Sequence, residues 1–121
     1  MSMDLSVWSA RPFDLPEQLP QPEAWKRYQE TWAFETKGWQ VLVLPARPYQ
    51  TKPPHLPNSE VLLRLPGVSY VAYVTLEPIG ADHAGYAFLE KVVRSLALAT
   101  GGVWVDPDEE VYAHDEGRFF E

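Results

Sequence analysis

No cysteine occurs in the 121 residues. That excludes disulfide staples, thiolate nucleophiles and cysteine-built metal sites. Basic residues are also few: 10 Lys and Arg stand against 17 Asp and Glu, a formal net charge of −7. Gripping a phosphate backbone requires clustered Lys and Arg, so direct nucleic-acid binding is not expected. No stretch approaches the roughly 18 consecutive apolar residues of a membrane span, and no membrane partner is expected. "MSMDLSVWSARP" lacks the basic-then-apolar layout of a secretory signal. A cytoplasmic protein is the expectation. The glycines form no G-x-G-x-x-G or G-x4-G-K-[ST] phosphate cradle and no G-x-S-x-G nucleophile elbow.

Aromatic side chains and prolines are plentiful. Five Trp, six Tyr, five Phe and 12 Pro give a chain of this length enough apolar area for one core, but not two. A single domain over 1–121 follows. Apolar and polar residues alternate in "DLSVWSA", 4–10, which reads as a strand. "PEAWKRYQE", 22–30, opens with Pro at a first helical position and places Trp25 and Tyr28 at i, i+3, which predicts a short helix. "TWAFETKGWQVLVLP", 31–45, reads as a hairpin around Gly38. Residues 45–57, "PARPYQTKPPHLP", form a proline-rich loop. In 58–67 Asn58 caps a short helix carrying Leu62, Leu63 and Leu65. "VSYVAYVTLEP", 68–78, is a strand, with Tyr70, Ala72, Val74 and Leu76 on one face and Val71, Tyr73 and Thr75 on the other.

One long helix is expected over about 82–100, with Asp82 as N-cap and Gly101–Gly102 as terminator. Phe88, Leu89, Val92, Val93, Leu96 and Thr100 recur at helical spacing, with Gly85 and Ala99 as small residues on the same side. Glu90 and Arg94 form an i, i+4 pair. These elements predict an α+β fold: a mostly antiparallel sheet of five or six strands with the long helix across one face and one or two short helices.

"GGVWVDPDEEVYAHDEG", 101–117, carries four acidic residues in five positions. Asp106, Asp108 and Glu110 match the spacing of early calcium-loop ligands. Val111 stands where that loop needs glycine, however, and Gly117 where it needs a bidentate Glu. Aspartate and proline are also what a tight turn selects. A strand–turn–strand is therefore the expected reading, and no metal or other cofactor is expected. His55, His83 and His114 have no metal-ligand spacing. The glycines of "EPIGADHAGYAF" open a helix without a phosphate motif. Tyr73, Glu77, Asp82 and His83 would be candidate pocket residues if they converged between helix and sheet, as in a small enzyme or ligand-binding domain.

The frame "LSVWSARPFDLPEQLPQPEAW … WAFETKGWQVLVL … LPGVSYVAYVTLEPIGADHAGYAFLEKVVRSLALATGGVWVDPDEEVY" resembles small bacterial immunity proteins of polymorphic-toxin and type VI secretion systems, the group called immunity protein 52. The resemblance implies a non-enzymatic protein that blocks one cognate toxin, with a basic nuclease as a fitting partner. It carries no functional residue across. The candidate contact residues come from the chain's own chemistry: Tyr49 and His55 in the proline-rich loop, and Asp106, Asp108, Glu109 and Glu110 in the acidic turn. A homodimer built on exposed Trp and Leu is the remaining expectation for partners.

Overall fold

The computed structural model describes residues 3–46, 57–78 and 82–117. Seven strands form one antiparallel sheet: β1 (Met3–Ser9), β2 (Lys26–Tyr28), β3 (Thr31–Glu35), β4 (Gln40–Ala46), β5 (Tyr70–Glu77), β6 (Val103–Val105) and β7 (Val111–Tyr112). Their order is β2-β3-β4-β5-β1-β6-β7. The fold is α+β, as the pattern predicts, with one strand more than expected.

The extra strand is β2. Pro22–Ala24 makes only a 3-10 turn, and Trp25 follows in an extended conformation with its indole N–H donated to the Pro20 carbonyl at 2.8 Å. A helix this short needs a packed face to hold it, and Lys26–Tyr28 buries none of its side chains. Lys26–Tyr28 instead pairs with Thr31–Ala33 through a two-residue turn, in which Gln29 takes a positive φ of 57°.

Both β5 and β6 run antiparallel to β1 and flank it, so they are parallel to each other and need a crossover. Helix α2 (His83–Thr100) supplies it. The Asp82 carboxylate accepts from the Gly85 N–H at 3.1 Å, and Gly101 closes the helix at a φ of 71°. Leu89, Val92, Val93, Leu96 and Ala97 pack on Leu5, Val7, Val41, Val43, Ala72, Val74 and Leu76, nearly all without exposed surface. Each buried Leu or Val among them contributes about 1.5–3 kcal/mol. Ala99 is exposed, contrary to expectation. It sits at the margin of the apolar stripe, and Ala97 is the small residue that meets the sheet.

The opposite sheet face is covered only in part. Helix α1 (Ser59–Arg64) buries Val61 against Trp8, Val71, Val103, Val105 and Val111. Leu62 and Leu63 of this helix are exposed at 45% and 77%.

Candidate functional site

The turn after β6 is built around Asp106. This carboxylate is 8% exposed. Its Oδ1 accepts from the backbone N–H of Asp108 and of Glu110, each at 2.9 Å, and its Oδ2 accepts from the Tyr112 hydroxyl at 2.9 Å. The Asp106 carbonyl accepts from the Glu109 N–H at 3.0 Å, closing the four-residue turn with Pro107 at its first central position. Glu109 holds a φ of 67°. Burial against Trp104, whose ring lies 4.5 Å away, and the bond to Asp106 push the Tyr112 hydroxyl up to about 12. Asp106 is thus the internal brace of the turn.

Asp108, Glu109 and Glu110 are exposed at its tip. The Asn58 amide donates to the Glu109 carbonyl at 3.2 Å, and so ties the tip to the start of α1. Among the described residues, no group of three or more His, Asp or Glu is placed to hold a metal ion.

The four candidate pocket residues do not converge. Tyr73 pairs with Leu44 and Ser6, out of phase with Ala72 and Val74. It therefore lies on the face turned away from α2, where burial raises its hydroxyl pKa. Glu77 shares that face and accepts from the Gln40 amide at 3.1 Å. Asp82 is spent on capping α2, and His83 is exposed on its first turn. The space between α2 and the sheet is filled by aliphatic and aromatic side chains. Tyr49 and His55 lie outside the described residues.

Register brings together a set that sequence spacing conceals. Glu35 pairs with Gln40, Gln40 with Glu77, and Asp4 with Thr75 next to it. The Thr75 hydroxyl donates to Asp4 at 2.9 Å. Ser6 pairs with Val105, immediately before the acidic turn. Glu35, Glu77, Asp4 and the tip 108–110 therefore line one end of the sheet, although they are scattered along the chain. Lys26, 3.9 Å from Glu35, and Lys37 in the β3–β4 loop are the lysines there among the described residues. Only strand pairing reveals this set; no local motif encodes it.

On the other side of the molecule, an open depression of about 410 Å³ is lined by Ala87, Glu90, Lys91, Arg94, Ser95, Leu98 and His114. Arg94 is already engaged there by Glu90 and by two backbone carbonyls. No helix among the described residues is long and apolar enough to cross a membrane. No family model, curated protein or solved structure matches the chain.

Proposed function

We propose that the chain is a non-enzymatic binding protein that neutralises a cognate toxin by occluding its active site. A basic nuclease is the partner class that fits best. The observation that supports this reading is the acidic turn. Asp106 spends its carboxylate inside the turn and so holds Asp108, Glu109 and Glu110 outward on a braced support. Carboxylates held this way can occupy positions that a nuclease keeps for phosphate oxygens. A net charge of −7 would speed encounter with a cationic surface and set specificity more than it would add affinity.

The test is retrieval of the tagged chain from its source cells at low salt. The expected result is one stoichiometric basic protein whose activity on nucleic acid falls when one equivalent of the chain is added. The double variant Asp108→Lys/Glu110→Lys should keep the wild-type unfolding midpoint and slow association by about tenfold or more. Retrieval of no partner, or undiminished partner activity at full saturation, would overturn the proposal.

A further inference from the structure

We draw no further inference here: the strongest candidate, the depression on the outer side of α2 lined by Lys91, Ser95, Leu98 and His114, carries nothing, because Glu90 and Arg94 within it are already engaged and nothing among the described residues, which end at Gly117 beside Arg94, shows what covers it.

Discussion

The Tyr112 hydroxyl donates to the buried Asp106 carboxylate at 2.9 Å, while the other oxygen of that carboxylate takes two backbone N–H groups. One side chain thus organises both limbs of the β6–β7 turn. Asp106→Ala leaves those donors without their acceptor and should cost about 1–3 kcal/mol. Asp108→Ala removes an exposed carboxylate and should stay within about 0.5 kcal/mol of wild type. Urea denaturation of the two variants checks the contrast. Equal midpoints would show that Asp106 braces nothing.

The same pair sets an alkaline limit. The Tyr112 hydroxyl rises to about 12 in the folded chain, against about 10 in an unfolded one. A raised folded value means that its stabilising contribution is fully present below pH 10 and is lost as pH rises from about 10 through about 12. The unfolding midpoint should therefore fall with pH across that window. Tyr112→Phe should flatten this part of the profile, and should cost about 0.5–1.5 kcal/mol at neutral pH for the missing hydrogen bond.

Two arginines from opposite sheet faces hold the segment that follows β7. Arg94 of α2 donates to the carbonyls of His114, at 2.7 Å, and Gly117, lies over the Trp104 ring with 5.4 Å to its centroid, and bonds Glu90 at 2.6 Å. Arg64 of α1 reaches Glu116 at 2.9 Å. Arg94 is the better shielded of the two. Arg94→Ala should cost about 1–3 kcal/mol by orphaning the partly buried Gly117 carbonyl, with Arg94→Lys in between because a point charge cannot fork to two acceptors. Arg64→Ala should cost at most about 1 kcal/mol. Hydrogen exchange at 113–117 should speed up more in Arg94→Ala. The Ala113 N–H and then Arg64 hold the Glu116 carboxyl below its ordinary value. Its small contribution is therefore present above the unfolded carboxylate range and is lost as pH falls through the lower folded value.

Periodicity made much of this architecture legible. The β3–β4 hairpin, β5 and α2 with its Asp82 and Gly101 caps lie where spacing places them, because each contrasts a buried with a wet face. Residues 26–28 were not legible: all three are exposed in β2, so no face pattern exists to read, and pairing with β3 decides their conformation. The acidic turn was legible as a turn, but Asp106 could not be told from Asp108 without the Tyr112 contact. The row Glu35–Glu77–Asp4 depends on strand order, which sequence spacing does not encode. The Tyr73–Glu77–Asp82–His83 pocket requires these side chains to converge between helix and sheet, and alternation along β5 turns the first two away from α2.

Gly102 marks a close approach between the end of α2 and β1. A Cβ there would stand 2.1 Å from the Trp8 carbonyl oxygen. That neighbour is backbone in the middle of the sheet and cannot swing aside. Gly102→Ala should therefore cost about 1–3 kcal/mol or more and lower soluble yield. Gly38→Ala, with nothing within 4 Å of the added carbon, should be nearly neutral. A well-folded Gly102→Ala with an unchanged midpoint would refute the close approach.

Asn58 does two jobs that one substitution can separate. Its Oδ1 accepts from the Val61 N–H at 2.9 Å as the N-cap of α1, and its Nδ2 donates to the Glu109 carbonyl at 3.2 Å. Asn58→Ala loses both and should cost about 0.5–2 kcal/mol, the range for a lost cap, with little dependence on salt. Asn58→Asp keeps a good capping oxygen but loses the donor and sets a new carboxylate beside Glu109. Its cost should be electrostatic, and so should shrink as salt rises and the Debye length falls from about 10 Å at 0.1 M to about 3 Å at 1 M. Thermal unfolding of both variants across that salt range checks the division. Parallel curves would mean that α1 and the acidic tip are not coupled through this residue, and that the tip is braced by Asp106 alone.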